Sequence, residues 1–82
     1  MVMYEAGMLA RSKAGHDKAQ MYIIKEVDDT YVYLVDGRIR TLGHLKKKKK
    51  KHVQIVHGIY NMKELDDAGI RKLIKDWMKE EK

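Results

Sequence analysis

Six consecutive lysines, Lys46 to Lys51, closed by His52 and approached through Arg38, Arg40 and His44, form the densest chemical feature of this 82-residue chain. Their chemistry is that of crowded positive charge. Ammonium groups a few residues apart repel one another, and no Asp or Glu stands between Asp36 and Glu64 to relieve them. Such a run calls for an external polyanion, the bland alternative being a solvated surface loop. The chain carries 18 Lys and Arg against 12 Asp and Glu, so the tract alone equals the net charge of +6. Segment 37–60 holds eight bases and no acid, whereas 1–36 holds four bases and six acids, and 61–82 holds six of each. Basicity this local is the footprint of a protein that meets nucleic acid or an anionic membrane surface.

The remaining candidate chemistries are weaker. Cysteine is absent, which excludes disulfides, thiolate nucleophiles and cysteine zinc sites and fits a reducing compartment. Four histidines make no metal site by pattern, because His52 and His57 have opposite strand parity and no cysteine completes a four-ligand set. His16 beside Asp17 makes no acid-base pair, since no nucleophile or second carboxylate is organised around them. We therefore expect no catalytic residue, metal or cofactor. The stretch from Ser12 to Lys18 places Lys13 and Lys18 around Gly15, which lets backbone N–H and ammonium groups approach a phosphate together. Arg38 and Arg40 offer bidentate hydrogen bonds to phosphate that lysine does not. Tyr22, Tyr31 and Tyr33 lie on predicted strands, either as packing or as surfaces on which unpaired bases stack.

The elements that position these groups follow from periodicity. Short apolar and β-branched runs separated by turn residues fill the chain from Gly7 to His57 and predict a small all-β unit. The strands expected are 7–12, 20–27, 31–35, 38–42 and 52–57. Asp36-Gly37 suits a two-residue turn with positive φ, so 31–35 and 38–42 are read as a hairpin with Arg38 and Arg40 on one face and Ile39 toward the core. The lysine tract is read as too self-repelling to enter a sheet. The tail then changes period: Ile70, Leu73, Ile74, Trp77 and Met78 recur on one helical face, opposite Lys72, Lys75, Asp76 and Lys79. Asp66 is the expected N-cap of a helix running from about Asp67 to Glu80, with Leu65 stapled to Ile70, and Asn61 and Glu64 allow an extra turn before it. Eighty-two residues make one domain, which buries only about 60% of the surface its unfolded chain exposes. It divides into a β unit over 5–58 and a helix over 61–81. No stretch has the length of a signal peptide or membrane span, which predicts a soluble, cytoplasmic protein.

The segment from Gly7 through Gly15 and Lys18, the strand Tyr22-Ile-Ile24, Val35-Asp-Gly37, the run from Leu45 to Gln54 with its Lys-His ending, and the closing segment from Asp66 to Trp77 together resemble a KOW-motif protein. Within that family the chain is most similar to the small branch related to archaeal and eukaryotic KOW-bearing large-subunit ribosomal proteins. The matches cover residues 7 to 78 in order. Ala19 stands where many family loops carry a second glycine, and His16 where arginine is usual; an unperturbed histidine is mostly uncharged at neutral pH. The resemblance implies a mainly β fold, a small five-stranded SH3-like barrel with the C-terminal helix packed on it, that binds RNA in or near the ribosome without enzymatic activity. Its RNA-binding residues would be Arg11, Ser12, Lys13, Gly15, His16 and Lys18, together with Arg38, Arg40, Lys46, Lys47, Lys48, Lys49, Lys50, Lys51 and His52. The implied partners are structured RNA and ribosomal proteins, and no membrane. Two other classes stay open: an SH3-like module for proline-rich peptides, and attachment to anionic lipid, which lacks a second anchor here.

Overall fold

The computed structural model of the chain describes residues 3–13 and 20–80. Five antiparallel strands, β1 (Met8–Ser12), β2 (Met21–Val27), β3 (Tyr31–Val35), β4 (Lys46–Lys49) and β5 (Val53–Ile59), form one sheet in the order β4-β3-β2-β1-β5. A single helix, α1 (Asp67–Glu80), follows. The two edge strands are consecutive in sequence and are joined only by a 3-10 turn, Lys50–His52. Neighbouring strands lie about 4.8 Å apart, so the edges of a flat sheet would stand about 19 Å apart, whereas three residues of 3-10 helix rise about 6 Å. The sheet must therefore curl. Register shifts in β1 against β5, and between Ile24 and Glu26 in β2, supply local bends. The result is a curled half-barrel with a C-terminal helix, a small SH3-like barrel as expected.

Both faces of the sheet are covered. Ala10, Tyr22, Ile24, Val32, Leu34 and Val53 form one cluster made only of strand residues, around which the sheet curls. Leu9, Met21, Ile23 and Val35 point the other way and pack against Ile70 and Ile74 of α1. This double burial is why β2 opens with four buried residues in succession instead of alternating. The helix starts as expected: the Gly69 N–H donates to Asp66 Oδ1 at 2.7 Å, and Leu65 packs with the cluster that holds Ile70. The extra turn is a 3-10 turn, Met62–Glu64, in which Asn61 Oδ1 accepts the Lys63 N–H. Leu73 and Trp77 are half-buried at the rim of the core, while Met78, read as part of the apolar face, is 49% exposed.

Two expectations are overturned. Residues 38–42 do not form a strand, and Ile39 is 79% exposed rather than directed to the core. The chain turns at Gly37 with the expected positive φ of +79°, but in a wider turn than the two-residue hairpin, since the Asp36 and Gly37 N–H groups both donate to the Arg40 carbonyl, and side chains hold the rest of the segment in place of a ladder. Asp36 Oδ1 accepts the N–H groups of Arg38 and Arg40, Asp67 Oδ1 accepts the Leu42 N–H, and Arg71 Nη1 donates to the Gly37 carbonyl. The first turns of α1 thus take backbone groups that a hairpin would have used. The place beside β3 expected for 38–42 is taken by the lysine tract, β4, paired antiparallel with β3 at the sheet edge. Period-two alternation sends successive ammonium groups to opposite faces, and an edge strand leaves them reachable by water, which removes the repulsion argument against it.

Two substitutions test this packing. Ile70 is wholly buried, so Ile70→Ala is expected to cost about 2–5 kcal/mol in urea unfolding. A Cβ at Gly37 would overlap the Asp67 carbonyl oxygen and crowd Arg71. Gly37→Ala should accordingly lose more than the ~1–2 kcal/mol that a left-handed backbone costs an L-residue. A melting temperature unchanged by Gly37→Ala would show that the turn is not pressed against the helix.

Candidate nucleic-acid interface

The tract is six copies of one side chain, but pairing with β3 sorts them. Lys47 lies opposite Tyr33 and Lys49 opposite Tyr31, on the outer face, while Lys46 and Lys48 lie opposite Leu34 and Val32, whose side chains enter the core. Lys47, Lys49 and Lys51 are exposed; Lys46, Lys48, Lys50 and His52 are half-buried. Long aliphatic stems can cover apolar surface while the ammonium stays wet, which suits the inward pair. Lys50 is tied down: its ammonium donates to the Asp29 carbonyl at 3.2 Å and lies 5.8 Å from the centroid of the Tyr4 ring. Lys47 Nζ sits 4.2 Å over the Tyr31 ring, a cation–π contact. Half of the tract is therefore exposed on ordered backbone, Lys47 and Lys49 from a sheet edge and Lys51 from the turn that follows.

The 3-10 turn brings the end of the tract to the loop predicted as the KOW contact. The Lys13 N–H donates to the His52 carbonyl at 2.8 Å, and the Ser12 N–H donates to the Gln20 carbonyl across the loop mouth. Lys13 is exposed, Arg11 half-buried and Ser12 1% exposed. Burial therefore leaves Lys13 as the accessible base of the three. Gly15, His16 and Lys18 lie outside the described residues. Arg38 is exposed and Arg40 half-buried, both held at their backbone N–H by Asp36 rather than arrayed on a strand. The structure thus joins Lys13 to the tract but places Arg38 apart, beside α1.

Of the three strand tyrosines, Tyr22 is 4% exposed and belongs to the core, so it presents no ring to a base. Tyr31 and Tyr33 are half-buried on the outer face beside Lys47 and Lys49. Two residues that anchor this corner escaped the sequence reading. The Tyr4 hydroxyl donates to the Lys50 carbonyl at 3.0 Å, a contact 46 residues away with no local signal. Asp28, the first residue of Asp-Asp-Thr, accepts the N–H groups of Thr30 and Tyr31 and the Tyr33 hydroxyl. An aspartate closing a strand is the signature of this turn chemistry and was available in the sequence. Among the described residues no group of three or more His, Cys, Asp or Glu is placed to hold a metal ion. No helix among them is long and apolar enough to cross a membrane. Protein-family models and curated proteins were compared with the chain, and none matches.

The Asp28 carboxyl is held below the ordinary aspartate range, first by the Tyr31 N–H, then by the Tyr33 hydroxyl and the Thr30 N–H, with Lys47 adding a smaller share. The same hydrogen bond, with the charges of Asp28 and Glu26, keeps the proton on Tyr33 to higher pH than usual. A carboxyl whose folded pKa lies below its unfolded one stabilises the fold at neutral pH and loses that contribution as pH falls through the folded value. The stability difference between wild type and Asp28→Ala should therefore be steady at neutral pH and shrink below about pH 4. A difference that stays constant from pH 7 to pH 2 would show that charge on Asp28 does not organise the turn.

Proposed function

We propose that this protein is a non-enzymatic RNA-binding module of the KOW type, working with the ribosome or translation in the cytoplasm and taking structured RNA as its partner. The observation that carries the proposal is the set of exposed lysines, Lys47 and Lys49 on a sheet edge and Lys51 in the turn after it, where that turn meets Lys13, the entry to the KOW-like loop, through the His52 carbonyl. A flexible lysine supplies affinity with little regard to sequence, whereas groups held by sheet and turn supply placement. Here a single edge offers both. The ribosomal setting rests on the resemblance of the Gly7 to Lys18 segment, Val35-Asp-Gly37 and the lysine-rich run to KOW proteins, and ribosomal proteins are further candidate partners on the same ground.

An SH3-like peptide module is the competing reading, favoured by Tyr31 and Tyr33 sharing one face. Against it, the Lys47 ammonium lies over the Tyr31 ring where a proline would pack, and the neighbouring cations have no role in holding such a peptide. Binding to structured RNA, to a proline-rich peptide pool and to anionic vesicles at matched salt separates these possibilities. Strong peptide or vesicle binding with no RNA binding would overturn the proposal. Each phosphate contacted on a single strand contributes roughly 0.7 to the slope of log affinity against log salt, so replacing Lys47, Lys49 and Lys51 by Gln should flatten that slope by about 2. Lys13→Gln is expected instead to lower the preference for structured over unstructured RNA.

A further inference from the structure

A second basic surface lies away from the tract. A groove of about 720 Å³ runs between α1 and the turn after β3, and Arg38, Arg71, Lys72 and Lys75 line it. All four are exposed. The one acid in the lining, Asp36, is 8% exposed and accepts two backbone N–H groups, so a single carboxylate stands against four cations. On α1, Lys75 has Arg71 and Lys72 one turn before it and Met78 and Lys79 one turn after. Residues three and four apart on a helix face one another, and like charges so placed repel; no acid stands in position across either turn to relieve Lys75. Met78, 49% exposed, gives the same groove an apolar patch.

Two backbone hydrogen bonds link the groove to the first surface. Gln20 is among the residues that line the groove, the Gln20 carbonyl accepts the Ser12 N–H at 3.3 Å, and the residue after Ser12, Lys13, donates its N–H to the His52 carbonyl at the end of the tract. We infer that this groove is a second contact for the phosphate backbone of the same RNA, so that one strand runs from the outward lysines of β4 past Lys13 and Gln20 onto α1. The inference rests on the RNA-binding reading and extends it to a helix face that the sequence pattern marked only as solvent side. Lys72 and Lys75 carry phosphate; Met78 offers a nonpolar surface to ribose or base. Arg71 has a structural share, because its Nη1 holds the Gly37 carbonyl.

The probe is a uridine 16-mer, the upper end of the roughly 4–16 nucleotides that small β-barrel modules cover. Its affinity is measured against salt for wild type, Lys72→Gln/Lys75→Gln, Lys47→Gln/Lys49→Gln, and the charge-matched control Lys25→Gln/Lys63→Gln. Gln and Lys have nearly equal helix propensity, so α1 should persist, and circular dichroism checks it. The groove variant and the tract variant are each expected to lower the salt slope by about 1.4, the equivalent of two phosphates at roughly 0.7 each, with the control moving it far less. A groove variant that behaves like the control while the tract variant loses slope overturns this inference and leaves the RNA-binding reading intact. A wild type that does not bind the 16-mer or structured RNA overturns both. Loss of binding to a polyglutamate peptide in the groove variant, with RNA binding unchanged, overturns it in favour of an acidic protein partner.

Discussion

Three residues have to carry the chain from one edge of the sheet to the other, and most of the architecture answers to that constraint. The Lys50–His52 turn is fastened on several sides: the Lys50 N–H donates to the Thr30 carbonyl, the Tyr4 hydroxyl reaches the Lys50 carbonyl, and the His52 carbonyl receives Lys13. With the turn anchored there, the strand before it must lie against β3, and the only chain available is the lysine run. Segment 36–45 is thereby released from the sheet. It crosses the start of α1 instead, where Asp36, Asp67 and Arg71 satisfy backbone groups that would otherwise need a ladder. Closure, strand choice and helix docking share these contacts.

The same linkage explains which parts of the fold were legible in the sequence. Strands β2 and β3 were readable because both are dense in strand formers and bounded by turn residues, and α1 because five apolar residues recur at helical spacing behind an aspartate cap. These are local signals. The exchange of 38–42 for 46–49 was not readable, since Arg-Ile-Arg-Thr-Leu has better strand propensity than four lysines and the preference is reversed by contacts with residues 67 and 71. Tertiary context of this kind routinely outweighs intrinsic β preference. For the candidate site, the bases themselves were legible, but their availability was not: only alternation in a paired strand separates Lys47 and Lys49 from Lys46 and Lys48, and only burial removes Tyr22 and Ser12 from the surface.

Electrostatics and packing meet on the outer face of β3. Tyr33 is held at its hydroxyl by Asp28, and Tyr31 is capped by the Lys47 ammonium, so both rings are restrained before any partner arrives. Restraint of this sort reduces the side-chain entropy lost on binding. It also means that an incoming phosphate competes with a ring for Lys47, whereas Lys49 and Lys51 are exposed beside it.

A homopolymer paired in a sheet has an unusual property. In most strands a slip of one residue carries apolar side chains to the wrong face, and that penalty defines the alignment. Within β4 a slip replaces lysine with lysine, so nothing inside the strand distinguishes one alignment from the next. The alignment is dictated from outside, by Leu45 packed with the helix-side core at one end and the fastened turn at the other. The number of lysines between those two anchors therefore acts as a molecular ruler: one residue more or fewer leaves the chemistry of the run the same but puts its two ends out of step, so that the strand must bulge or release an anchor.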